Sequence, residues 1–176
     1  LKRIELFAEA LIPDKFHLAG NSMGGTLAAL YAAEHPRRIA TLALLAPGGV
    51  GSPRPSELAK LIQKGINPLL TGNAEDFDRL LELCFAKPPF IPSQFKKVMA
   101  SAASLQRNFN QKIWNDMVGS RAHGASFLME NFLEPYLSRI QAPVLIIWGN
   151  ADHILDVGGA AVLERSLKNA KTVVME

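Results

Sequence analysis

The chain has 176 residues, 48% of them hydrophobic and 20% charged, with 19 Lys and Arg against 16 Asp and Glu for a formal charge of +3. That is enough for one sizeable core and short for two. The charges are interspersed and the longest basic runs are pairs such as Arg37, Arg38 and Lys96, Lys97, so a nucleic-acid footprint is not indicated; the single Cys84 excludes an intrachain disulfide and a cysteine-based zinc site.

Leu1, Ile4, Phe7, Ala8 and Leu11 fall at helical spacings, which predicts an amphipathic helix that stops before Pro13. Lys15 to Gly20 follows as a short strand. Ser22 to Glu34 is helical, and its small residues Ala28, Ala29, Ala32 and Ala33 suit close packing on a sheet. Ile39 to Leu45 is a continuous apolar run of strand length, as expected of a parallel strand buried on both faces. The pattern returns late in the chain, with a strand at Val144 to Trp148, a helix at Val157 to Lys168 and a strand at Lys171 to Met175. Alternation of this kind predicts an α/β fold with a parallel sheet.

Between these blocks the character changes. A turn-rich GGVGSPRP linker leads into helical pattern over Ser56 to Ile66, Ala74 to Phe85 and Pro92 to Val118, with Asn73 and Ser93 as N-cap candidates. The expected organisation is a core of residues 1–47 and 137–176 interrupted by a helical insertion over 48–136. Leu1 is not Met and the last strand stops without a cap, so the sequence reads as a piece of a longer protein.

Gly20-Asn21-Ser22-Met23-Gly24 matches G-x-S-x-G where a strand meets a helix, the context of a nucleophile elbow. Such a turn forces the serine into a strained backbone conformation and is expected to require glycine at both Gly20 and Gly24, with Gly25 beside them. Ser22 then stands at a helix N-terminus, and the Met23 N–H is a candidate oxyanion donor. The alternative for the same turn is a phosphate-binding or merely close-packed Gly-rich loop.

A serine nucleophile needs a base, and the base an acid that orients it. Asp152 lies just beyond the carboxyl end of the VLIIW strand, the rim where functional groups gather in an open α/β sheet; Asp156 is its rival, and a turn aspartate is the bland alternative. None of the four histidines suits the base. His17 sits mid-strand, His35 ends a helix before Pro36, His123 falls in the insertion and His153 adjoins the acid. In the order Ser, Asp, His the base follows the last strand, so the catalytic histidine is expected outside these 176 residues.

FHLAGNSMGGTLAALYAAEHP, LLAPGG, FDRLLELCFAKPPFIPSQF, NFNQKIW and APVLIIWGNADHILDV together resemble the α/β-hydrolase superfamily, in particular bacterial lipases and the monoacylglycerol lipases of the α/β-hydrolase-domain group. The resemblance implies a partial α/β-hydrolase fold, strands five to eight with an inserted helical cap. It makes Ser22 the nucleophile, Asp152 the triad acid and residues 48–136 a cap over an acyl pocket, with no metal or organic cofactor. It also implies four earlier strands, an upstream loop with the second oxyanion donor, and a histidine loop after VVME. The GNSMGG and PGGVG stretches are similar to meta-cleavage-product hydrolases too, which cut carbon-carbon bonds with the same triad; Arg107 and Asn108 are then available for a dienoate.

The implied substrate is an acyl ester or lipid, with no nucleic-acid partner. Phe85, Pro88, Pro89, Phe90 and Ile91, followed by Met99, Phe109, Trp114 and Met117, are expected to form the insertion's own small core or to touch an acyl chain, with Cys84 buried among them. The KFHLAG strand is expected to expose an edge that pairs with another chain or with a preceding half. The 176-residue chain alone is expected to be inactive, which leaves a non-catalytic binding module as the reading from another class.

Overall fold

A computed structural model of the chain describes residues 1–118 and 132–176. The described chain divides into two compact units, Leu1–Arg54 with Met129–Asn150 and Val157–Glu176, and Pro55–Leu128 with Ala151–Asp156.

The first unit is built on a four-stranded parallel sheet in the order β1 (Phe16–Asn21), β2 (Ile39–Leu45), β3 (Val144–Gly149), β4 (Ala170–Met175). Its register pairs Leu18 with Leu42, Leu42 with Val144, and Val144 with Ala170. One sheet face therefore carries Leu18, Gly20, Leu42, Leu44, Val144, Ile146 and Trp148. Helices α2 (Met23–Glu34) and α8 (Gly158–Ser166) and the short α7 (Glu134–Leu137) belong with that face, and Leu42, Leu44, Ile146 and Trp148 are buried there. The other face is not covered in the same way: Thr41 and Leu145 are exposed. Burial on both faces, as the apolar run suggested, is thus not what the described residues show, because their sheet-covering helices gather on one side.

Small residues set the helix-to-sheet distance. A Cβ on Gly159 of α8 would come within 2.8 Å of the Trp148 ring, so the indole lies flush against that helix. Helix α1 (Lys2–Leu11) is fastened through Arg38, whose Nη2 donates to the carbonyls of Ala8 and Ile12 at 3.1 and 2.6 Å. Those carbonyls lie in the last turn and at the C-cap, where a cation meets the helix dipole. The outer edge of β1 has no partner strand among the described residues.

The second unit holds α3 (Glu57–Gln63), α4 (Ala74–Cys84), α5 (Ser93–Leu105) and α6 (Arg107–Val118). Ser56 and Asn73 cap α3 and α4 by accepting from the Ala59 and Asp76 amides. Ser93 does not cap α5; Pro92 takes the N-cap position and Ser93 is the first helical residue. The helical pattern from Pro92 to Val118 is two helices, separated at Gln106, whose amide turns back to the Ala103 carbonyl. Leu58, Ala59, Leu70, Phe77, Leu83 and Ala100 supply the buried apolar positions. Phe85, Phe90, Met99 and Phe109, expected either in that small core or against an acyl chain, are exposed and so are not in the core. Cys84 is exposed too, since it follows the buried Leu83 by one residue and so lies about 100° round the helix from it.

Candidate active site

Ser22 has φ 51° and ψ −121°, one of two non-glycine residues with positive φ among those described. It stands directly between β1 and α2, at the N-cap position, yet its side chain makes no capping hydrogen bond. Serine at an N-cap ordinarily turns its oxygen back onto the helix. Here the backbone conformation aims the side chain elsewhere, and strain of this kind costs on the order of 1–3 kcal/mol and persists only where the surroundings over-determine it.

Those surroundings are visible on both sides of Ser22. Its N–H donates to the Leu45 carbonyl at 2.9 Å, and Asn21 Nδ2 donates to the same oxygen at 3.1 Å. Its carbonyl accepts from the amides of Thr26 and Gly48, both at 3.1 Å. The Thr26 hydroxyl donates to the Gly48 carbonyl at 2.9 Å, which closes the loop after β2 onto the first turn of α2. Ala46, the other positive-φ residue at 39°, lies in this same loop. The Met23 amide is the first N–H of α2 and has no intrahelical acceptor.

The steric demand for glycine is placed differently from expectation. A Cβ on Gly20 would collide with the backbone of Gly24 and Gly25, and one on Gly25 would come within 2.8 Å of Pro47 Cβ. A Cβ on Gly24 meets nothing within 4 Å. The close approach is therefore between Gly20 and Gly25, strand against helix, while the second glycine of the motif is sterically open among the described residues.

Asp152 follows β3 by three residues and belongs to the second unit. Its Oδ1 accepts from the amides of Ile154 and Leu155, each at 2.9 Å, so the carboxylate is held by a tight turn in which Oδ2 takes no part. The turn-aspartate alternative and the acid role make the same demand on Oδ1. Within the same unit, partial desolvation and then the negative charge of Asp152 push the Cys84 thiol above its ordinary value. Asp156 has interactions of its own.

The described histidines do not gather at the elbow. His17 is on the exposed sheet face, its Nδ1 2.7 Å from Thr41 Oγ1. His35 is the C-cap of α2, its ring tilted 30° against that of Tyr31 with centroids 4.5 Å apart, and its Nε2 is 3.8 Å from Glu5 Oε1. His153 lies beside Asp152, and its carbonyl accepts from the Leu58 amide. His123 and the Met117 side chain lie outside what is described. Arg107 is committed inside its own unit: Nη1 donates to the Leu70 carbonyl at 2.6 Å and stands 3.9 Å from Asp76 Oδ2. No cluster of metal-ligating side chains occurs among the described residues.

Sequence reasoning missed Thr26 and the Ala46 to Gly49 loop as supports of the elbow. Their signal was present in the threonine four residues after the serine and in the PGG turn that ends the neighbouring strand.

Comparison with known proteins bears on this geometry. The sequence profile of the alpha/beta hydrolase fold matches residues 1–176. A monoacylglycerol lipase of Xenopus laevis is 35% identical, aligned over 100% of this chain and 53% of its own length. A crystal structure of a membrane phospholipase A, described as a bacterial virulence factor, superposes with a TM-score of 0.87 at 39% identity, covering 99% of this chain and 54% of that one. A meta-cleavage product hydrolase from Pseudomonas fluorescens superposes with a TM-score of 0.73 at 20% identity, over 98% of this chain and 60% of that one, a likeness of fold alone. The chain spans about half the length of the curated relatives it matches.

Proposed function

The chain belongs to the alpha/beta hydrolase fold family, and from that premise we propose that it is part of a serine hydrolase of carboxylic esters, acting on acylglycerols or related lipids. The observation that carries the proposal is Ser22, strained at φ 51°, without a capping bond and fixed through both its amide and its carbonyl. Lipid esters are the substrate class because the named relatives include a monoacylglycerol lipase and a phospholipase.

In the proposed reaction Ser22 Oγ attacks the acyl carbonyl carbon while a histidine accepts its proton. The oxyanion that forms takes a hydrogen bond from the Met23 amide. Collapse breaks the bond to the alcohol, which leaves with the proton from the histidine. Water, deprotonated by the same histidine, then attacks the acyl-enzyme and releases the carboxylic acid, and Ser22 recovers its proton. Asp152 orients the histidine.

The base is proposed to come from outside these residues. His17 is five residues before Ser22 along a strand, about 16 Å at strand rise. His35 is at the far end of α2, about 18 Å along the helix. Residues 48–136 are proposed as the cap over the acyl pocket. The outer edge of β1 is the proposed pairing site for a further segment or chain. Carbon-carbon bond cleavage gains no support from Arg107, whose guanidinium is already bound to Leu70 and Asp76.

Ser22→Ala in the full-length protein tests the proposal. Turnover of a short p-nitrophenyl ester should fall at least about a thousandfold with the thermal transition unchanged; retained turnover overturns the assignment. A fluorophosphonate probe should label Ser22 in the full-length protein and leave the 176-residue chain unlabelled. Prompt labelling of the shorter chain would place a base within it.

A further inference from the structure

The second unit carries a surface that its own packing does not use. Helix α5 meets its neighbours through one side: Ala100 is buried, Ser104 Oγ donates to the Gly72 carbonyl at 3.1 Å, and Lys96 Nζ pairs with Asp78 at 2.8 Å. On the opposite side Phe95, Val98, Met99, Ala102 and Leu105 recur at spacings of three and four, an apolar stripe down one helix face. That stripe faces solvent, with Val98 68% and Leu105 83% exposed. Phe90 just before the helix is 92% exposed, and Phe109 beyond the Gln106 break is exposed as well. Isolated exposed apolar residues need no explanation, whereas a continuous stripe with aromatic ends does.

The charge distribution says what covers it. From Phe85 to Asn115 there are five basic residues, Lys87, Lys96, Lys97, Arg107 and Lys112, and no Asp or Glu. The rest of the chain is correspondingly net negative, so the overall +3 comes from this one segment. Lys96 and Arg107 are engaged with acids of α4, which leaves Lys87, Lys97 and Lys112 as the cations beside the stripe. We propose that the face formed by α5, the start of α6 and the Phe90 turn docks on an anionic lipid surface, with Phe90, Phe95, Val98 and Leu105 entering the headgroup boundary and the lysines meeting lipid phosphates. An apolar helix face flanked by lysines is the chemistry of an interfacial helix. A second copy is the poorer occupant, since a two-fold interface would set these lysines against their own images. Among the described residues no helix is long and apolar enough to cross a membrane, and the docking proposed lies in the surface plane.

Binding itself does not depend on Ser22; its consequence for catalysis rests on the ester-hydrolase reading. The experiment uses the full-length protein and sedimentation with vesicles of phosphatidylcholine containing phosphatidylglycerol, or of phosphatidylcholine alone. Wild type should bind the anionic vesicles more tightly, with the preference shrinking as salt rises. Phe90→Gln with Leu105→Gln should weaken binding at least about tenfold to both compositions. Lys97→Glu with Lys112→Glu should remove the anionic preference, on the order of fivefold per lysine. Hydrolysis of a soluble p-nitrophenyl ester should be unchanged in both variants, and hydrolysis of monoacylglycerol held in vesicles should fall. Equal vesicle binding by wild type and variants overturns the proposal, as does a dimer that the Gln variants dissociate while vesicle binding persists. If no ester is hydrolysed by any form but the binding differences stand, the failure belongs to the proposed reaction and not to the docking face.

Discussion

The two units hold themselves together by different means. Around Ser22 most of the fixing is backbone against backbone, with Asn21 and Thr26 adding side-chain bonds: Gly20 lies on Gly24 and Gly25, Gly25 on Pro47, and the Ser22 amide and carbonyl are both hydrogen-bonded to the turns beside them. In the helical unit the hydrogen-bonded joints are side chains reaching to backbone, Arg107 to Leu70, Ser104 to Gly72 and Asn73 to Asp76, and beside a small buried set Phe85, Phe90, Phe95 and Phe109 stay outside. Backbone contacts cannot change rotamer, so the first arrangement suits a group that must be placed to a fraction of an ångström. Side-chain joints tolerate adjustment, which suits the docking surface proposed for this unit.

The sharpest break of this contrast comes from the glycines. Gly20→Ala drives a methyl into main chain that cannot rotate away, and it should destabilise the full-length protein by about 3 kcal/mol or more and abolish ester turnover. Gly25→Ala should cost about 1–3 kcal/mol, because Pro47 can yield only with its loop. Gly24→Ala should instead stabilise by about 0.5–1 kcal/mol, since alanine favours the helix and its Cβ meets nothing. Urea unfolding of the three variants checks the order; equal losses at Gly20 and Gly24 would show that the close approach has been misplaced.

In the helical unit, Arg107→Ala removes the donor to the Leu70 carbonyl and the partner of Asp76, whose Oδ2 also accepts the Gly72 amide. The expected loss is about 1–2 kcal/mol by urea unfolding, because the freed groups are only partly shielded from water. Turnover of a short soluble ester should remain. If it collapsed with Arg107, the guanidinium would be reaching the reaction centre and the carbon-carbon hydrolase chemistry would return to consideration.

Thr26→Val separates positioning from folding. The hydroxyl ties the Gly48 carbonyl to the turn that carries Ser22, so its loss should lower kcat about tenfold with KM unchanged, and Thr26→Ser should restore most of it. A purely structural threonine would lower stability without that split between kcat and KM.

How much of this was legible in the sequence follows the same division. The sheet and the elbow were readable because their signals are local: apolar runs of strand length, and glycines at fixed offsets from Ser22. β2 was predicted to its terminal residues, and Asn73 was recognisable as a cap by the acids behind it. The role of Gly24 was misread because a motif records which residues recur in a turn and not which atoms touch. The Gln106 break was invisible because apolar spacing continues across it. Phe90 was assigned to a small core or an acyl contact, and Cys84 to the core, because composition cannot tell which side of a turn or of a helix has a neighbour. The basic segment was overlooked for a related reason: pairs of lysines look unremarkable until the absence of acids between Phe85 and Asn115 is counted.

The smallest effect reads the charge of Asp152 at Cys84, within the second unit. Cys84 has its thiol pKa raised by desolvation and by the Asp152 carboxylate, so at mildly alkaline pH less of it is thiolate than in an ordinary exposed cysteine. Asp152→Asn removes the second cause and leaves the first. The thiolate fraction should rise, and alkylation by iodoacetamide at pH 8 should quicken, whereas Asp156→Asn should leave the rate unchanged, since Asp152 is the one charged group that contributes to the shift. No gain with Asp152→Asn would mean that the Asp152 charge does not reach the Cys84 thiol. A gain in alkylation together with lost ester turnover would tie the acid of the proposed triad to a residue of the helical unit, through a reporter that plays no part in the reaction.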